Sequence, residues 1–142
     1  MSLKNSRYAL DPAATLHLRD GNEELMYADG QDGKPDKSKP MLWRLFGPGS
    51  TQHANAKAVA SARAMDRFKK KGKTDASPEE QANDLTKFIL GCTDSTENID
   101  YDGNLKGHEM CKALLNDVEF SFIPAQIDKW LGDTANFTKA ST

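Results

Sequence analysis

The sequence lacks any long run of hydrophobic residues. In 142 residues the longest apolar stretches lie around Phe88–Leu90 and Phe120–Ile123, far short of the roughly 20 residues that a membrane-spanning helix needs. The opening segment, MSLKNSRYALDPAATL, also lacks the apolar core of a secretory signal peptide. These two absences predict a cytoplasmic protein that has no membrane partner.

The sequence also has no large excess of positive or negative charge, and it has few cysteines. The 19 Lys and Arg nearly balance the 21 Asp and Glu, leaving a net charge of -2, which provides no electrostatic basis for binding nucleic acid. The two cysteines, Cys92 and Cys111, lie in segments with helical patterning, and we expect both to be reduced and buried. A hydrophobic fraction of 37% predicts a modest core with long polar segments.

Alternating apolar residues in the first third of the chain predict a small β-sheet. The segments 12–19 (PAATLHLR) and 41–46 (MLWRLF) have the two-residue period of strands. A shorter strand is expected at Glu24–Ala28. The stretch 29–40 (DGQDGKPDKSKP) contains two prolines and no apolar residue, so it is predicted to be an exposed, mobile loop.

Capping signals predict about four helices beyond the sheet. The turn GPGS ends with Ser50, a good N-cap for an Ala-, Lys- and Arg-rich helix that should end at Gly72. Ser77–Glu80 (SPEE) forms the capping box of a second helix. Two shorter helices are expected, one near His108–Leu115 and one beginning at Pro124.

These elements predict an α+β fold with a small N-terminal antiparallel β-sheet followed by a bundle of about four α-helices. We expect one domain over residues 1–142, with a β-rich part at about 12–46, a helical part at about 50–132 and a frayed tail at 138–142. Both tryptophans are expected to anchor the core, and partial exposure of either would indicate a partner surface.

Apolar faces of the first two helices are candidate surfaces for binding another protein. The candidates recur at helical spacing, and they are Ala54, Ala58, Ala62, Met65, Phe68, Leu85, Phe88 and Ile89. Alanines let another helix approach closely, and such a face fits helix-in-groove recognition. The alternative is that the two faces pack on each other as part of the core.

Residues 98–109 (NIDYDGNLKGHE) match most of the pattern of an EF-hand calcium loop. The four candidate ligands carry side-chain oxygens at the required spacing, and they are Asn98, Asp100, Asp102 and Glu109. However, a lysine occupies the ninth position, no apolar helix leads into the loop, and no second loop pairs with it. We therefore favour an Asx-rich turn and keep an EF-hand-like calcium-binding module as the weaker alternative.

No other motif indicates catalysis. His17, His53 and His108 lie in different segments and are not spaced with the cysteines as zinc ligands would be. A nucleophile elbow, a phosphate-binding loop and a dinucleotide fingerprint are all missing. The basic run 67–73 (RFKKKGK) could contact phosphate, but it is equally typical of a helix C-terminus. We expect no catalytic residue, no resident metal and no cofactor.

Residues 41–137 carry a series of short motifs in a definite order. LFGPGS leads into the basic helix, the capped helix ends in FILGCT, and NIDYDGN, a short helix and QIDKWLGDTANF follow. This order resembles the tail assembly chaperone family of long-tailed bacteriophages.

The resemblance implies a non-enzymatic protein that acts in the cytoplasm of the bacterial host during phage assembly. It would bind the tape measure protein, keep it soluble and help recruit the major tail protein, and self-association is compatible with that role. An alternative is a structural tail or head–tail component that stays in the virion.

Overall fold

A computed structural model describes residues 2–72 and 76–139. The strands in this part of the chain are β1 (Ala13–His17), β2 (Tyr27–Asp29), β3 (Pro35–Pro40), β4 (Leu42–Phe46) and β5 (Thr93–Glu97). The α-helices are α1 (Thr51–Lys71), α2 (Pro78–Cys92), α3 (Gly107–Asn116) and α4 (Phe122–Leu131), with short 3-10 helices at Val118–Phe120 and Thr134–Phe137. The predicted α+β class is confirmed.

The main sheet is antiparallel, with strand order β1-β4-β5. The central strand, β4, buries Trp43 and Leu45 completely, which confirms the strand predicted at 41–46. Strand β5 was not predicted, because 93–97 reads TDSTE and lacks the alternating apolar residues that identify a strand. It is an edge strand held by backbone pairing, with Trp43 opposite Thr96.

A second, two-stranded sheet pairs β2 with β3. The prediction of a loop over 29–40 was therefore wrong for Pro35–Pro40, although most of this segment is exposed, as expected. The two prolines stand at the ends of β3, where a missing N–H does least harm to the ladder. The predicted strand at Glu24–Ala28 is shorter and later, because β2 begins at Tyr27. The residues before β2 are joined to those after β1 by a bridge between Arg19 and Leu25.

The helices form largely where their capping signals lie. The Ser50 hydroxyl accepts a hydrogen bond from the backbone N–H of His53, and Gly72 ends α1 in the left-handed conformation. The capping box of α2 is complete. Helix α4 begins at Phe122, two residues before the predicted start, which leaves Pro124 in the first turn, where its missing N–H is tolerated.

The core lies between the main sheet and helices α2, α3 and α4, and its buried hydrophobic residues form one cluster. Helix α1 contributes only Ala56 to that cluster. At the other end of the chain, Thr138 donates a hydrogen bond to the carbonyl of Ala135 (3.0 Å), and Lys139 pairs with Asp11 (2.9 Å). The rest of the predicted frayed tail, 140–142, lies outside the described residues. Among the described helices none has the length and apolar character needed to cross a bilayer.

Candidate protein-binding face

Helix α1 presents two different sides. Its inner face, formed by Ala56, Arg63 and Arg67, lies against α2. The five residues predicted for partner binding on this helix are spaced four, four, three and three residues apart, which places them on the opposite side. All five are exposed, and we call them the outer face: Ala54, Ala58, Ala62, Met65 and Phe68.

The outer face exposes large apolar side chains as well as alanines. Met65 is 53% exposed and Phe68 is 51% exposed, and Val59, nearer to α2, is 53% exposed. The sequence left open whether this stripe packs on the second helix, and the structure shows that it does not. The outer face is therefore an apolar surface that no described residue covers.

Close contact between α1 and α2 comes from another pair of small residues. A Cβ atom placed on Gly91 would lie 3.1 Å from the Cβ of Ala56, so the helices approach each other at that point. The alanines of the outer face have no part in this contact. Ala56, which is not part of the predicted stripe, is therefore the alanine at this close contact.

The second predicted binding set lies on α2 and belongs to the core. Ile89 is completely buried, while Leu85 and Phe88 are half-buried against the core cluster. The Phe88 ring also meets the ring of His53 edge-on, with 5.5 Å between centroids. In this conformation Ile89 cannot meet a partner, so the fully exposed part of the predicted binding set lies on α1.

Ion pairs fix the orientation of α1 on α2. Arg67 pairs with Asp84 and, at 3.0 Å, with Glu80, and Arg63 pairs with Asp84 at 3.3 Å. Lys71 reaches Glu80 at 3.4 Å. A backbone hydrogen bond from Ser77, aided by Lys71, lowers the pKa of the Glu80 carboxyl. Arg67 and Lys71 of the basic run 67–73 therefore contact α2, and residue 73 lies outside the described residues.

The acidic loop after β5 forms local turns. Asp100 accepts a hydrogen bond from the N–H of Gly103 (2.8 Å), and Asp102 accepts from the N–H groups of Asn104 (2.9 Å) and Leu105 (3.1 Å). These backbone bonds lower the pKa of Asp102. In these bonds the carboxylate oxygens of two candidate calcium ligands accept from backbone N–H groups two or three residues later, as in an Asx turn.

The other two candidate ligands of that loop belong to different local structures. Asn98 has a positive φ and donates to the carbonyl of Pro40 (2.8 Å), and Glu109 belongs to the first turn of α3. The strand β5, and not a helix, leads into the loop. Within residues 2–72 and 76–139, no group of three or more His, Cys, Asp or Glu side chains could hold a metal ion.

The three histidines make different local contacts. His17 bonds to the carbonyl of Met26 (2.8 Å) and meets Tyr27 edge-on. Partial burial, with a further effect of Lys57, lowers the pKa of His53. His108 is exposed at the start of α3. Each histidine therefore has a separate local environment.

Both cysteines are free and buried, as the sequence predicted. Burial raises the pKa of the Cys92 thiol to about 11, and it raises that of Cys111 as well. Because only the thiolate reacts, both thiols should be inert in the folded protein.

We expect both cysteines to react slowly with a chromogenic disulfide reagent at pH 8 in the folded state, and rapidly once the chain is unfolded. Burial favours the protonated form of the Cys92 thiol in the folded state. Its contribution to the free energy of unfolding is therefore fully present below pH 9, the pKa of an unburied thiol, and is lost as the pH rises from 9 towards 11. Time courses for Cys92→Ala and Cys111→Ala would assign each thiol. Rapid reaction of either cysteine in the native protein would contradict the burial.

Sequence analysis missed an open groove between β1 and α4. Its apolar lining includes Leu16, Phe122 and the half-buried Trp130, and its volume is about 630 Å³. Gln126 spans the groove's end by accepting from the backbone N–H of Arg19 (2.9 Å) and donating to its carbonyl (2.8 Å). No sequence pattern indicates this groove, because it joins segments that are distant in the chain.

Comparison of the chain with protein-family models, with curated proteins and with solved structures finds no match.

Proposed function

We propose that this protein is a tail assembly chaperone of a long-tailed bacteriophage, acting in the host cytoplasm without catalysis or cofactor. In this role it binds the tape measure protein and helps recruit the major tail protein. The order of motifs over 41–137 supports the proposal through its resemblance to that family.

The exposed outer face of α1 is the observation that carries this proposal. A tape measure protein is long and helical, so its chaperone needs an apolar surface that accepts helices in several registers. Ala58 and Ala62 allow a helix to approach closely, and the flexible side chain of Met65 adapts to different neighbours. Because the outer face is not used in the protein's own core, binding there requires no unfolding.

Changing Ala58 and Ala62 together to glutamate should abolish co-purification with the tape measure protein. The two carboxylates would be buried without partners in the complex, whereas they remain solvated in the free protein. The measurement is recovery of tape measure protein when the two proteins are co-expressed. Circular dichroism should show that the variant keeps its helices.

The matched control is Ala82→Glu with Ala125→Glu, which makes the same chemical change at exposed alanines of α2 and α4. This control should retain co-purification. Binding that survives Ala58→Glu with Ala62→Glu would exclude the outer face. A stoichiometric signal from this chain in purified mature virions would contradict the chaperone role.

A further inference from the structure

The cations of α1 divide into two groups. Arg63, Arg67 and Lys71 are paired with carboxylates of α2, at Asp84 and Glu80. Side-chain exposure is only 24% for Arg63 and 12% for Arg67. These three cations are therefore paired within the protein, and the pairs hold α1 in place.

The remaining cations of α1 have no such partners. Lys57, Lys69 and Lys70 are exposed and form no ion pair within residues 2–72 and 76–139. The only carboxylate of α1 is Asp66. The solvent side of this helix is thus positive, although the whole chain has a net charge of -2.

Two of these lysines border the outer face. Lys57 follows Ala54 by three residues, and Lys69 follows Met65 by four, so each is a direct neighbour of that face on the helix surface. Lys57 lies beside the outer face towards its N-terminal end, and Lys69 lies at its C-terminal end. Asp66 is the one carboxylate of α1 next to the face, so the margin of this apolar surface has a net positive charge. Such a margin selects partners by charge, because like charges at the rim oppose binding.

We propose that the outer face of α1 binds an amphipathic helix whose apolar side is flanked by carboxylates. This inference rests on the proposed function and specifies the chemistry of the tape measure segment that would bind. A second copy of α1 in the same place would bring Lys57 and Lys69 against lysines, so charge disfavours self-pairing through this face.

Two synthetic peptides test the charge preference. Each has about 20 residues, with leucine and alanine at helical spacing, and the flanking positions are glutamate in one peptide and lysine in the other. Fluorescence anisotropy of the labelled peptides measures binding to the full chain. At low salt the glutamate peptide should bind about tenfold more tightly than the lysine peptide, and added salt should reduce the difference.

Reversing the margin should reverse the preference. The variant Lys57→Glu with Lys69→Glu should bind the lysine peptide more tightly than the glutamate peptide. The matched control, Lys34→Glu with Lys37→Glu, changes the net charge equally at exposed positions on and beside β3, and it should keep the original preference. Circular dichroism should show unchanged helix content in both variants.

Three results would overturn the inference. The first is equal binding of the two peptides, and the second is binding of neither. The third is self-association in sedimentation experiments that Ala58→Glu with Ala62→Glu abolishes, because a second copy would then occupy the face. If tape measure protein still co-purifies in a manner that depends on Ala58 and Ala62, the proposed function stands while the charge preference fails.

Discussion

Replacing Trp43 with alanine should lower the free energy of unfolding by about 3–5 kcal/mol, the range for large aromatic residues removed from a core. Trp43 lies on the central strand β4 and is completely buried. Its indole N–H donates to the Thr93 hydroxyl at 3.0 Å, so the side chain also joins β4 to the start of β5. Urea unfolding followed by circular dichroism would measure the loss.

Two other substitutions distinguish the contribution of burial to the free energy of unfolding from that of the hydrogen bond. Trp43→Phe keeps an aromatic ring but loses the bond to Thr93, which should cost about 1 kcal/mol in addition to the smaller ring's reduced burial. Trp130→Ala, at a half-buried position, should cost less than Trp43→Ala because part of its indole is already in contact with water. A loss at Trp43 no greater than at Trp130 would show that β4 is not the centre of the core.

Local chemistry explains which helices the sequence could predict. The hydroxyls of Ser50 and Ser77 bond to backbone N–H groups three residues later, and Gly72 supplies the left-handed residue at the end of α1. Each of these interactions lies within one helical turn. A short stretch of sequence therefore contains all the information needed to place the helix ends.

The missed strands have the opposite character. In β3 and β5 the side chains are mostly polar and exposed, so neither shows the alternation that identifies a half-buried strand. Their stability comes from backbone pairing, in the case of β5 with Leu42–Leu45, about fifty residues away in the chain. Only the position of the partner strand shows that these polar segments are strands.

The orientation of α1, which decides which side of the helix is exposed, could be predicted only in part, for a similar reason. Alanines occur on more than one side of α1, and periodicity alone does not tell which side meets the neighbouring helix. The pairing of Arg63 and Arg67 with carboxylates of α2 decides the orientation. Such pairs join different elements, so the sequence shows the charges but not which of them meet.

Replacing Gly47 with alanine should destabilise the fold by about 1–3 kcal/mol, the usual cost of forcing extra volume into a packed site. Gly47 is buried just beyond β4, and a Cβ atom there would collide with the ring of Phe137. That ring is completely buried and packs on Trp130, with 4.9 Å between centroids. The matched control is Gly21→Ala, where a Cβ would meet no atom within 4 Å and stability should change by no more than about 0.5 kcal/mol.

A double-mutant cycle tests whether this collision is the cause. Phe137→Ala alone should cost about 3–5 kcal/mol because it empties a buried site. Once the ring is absent, the added methyl group of Gly47→Ala has room, so the second substitution should cost little or nothing in that background. The two losses should therefore be strongly non-additive, as expected for residues in direct contact. Additive losses would mean that the added methyl group does not act through the ring of Phe137, and that the C-terminal segment does not pack against the end of β4 as described.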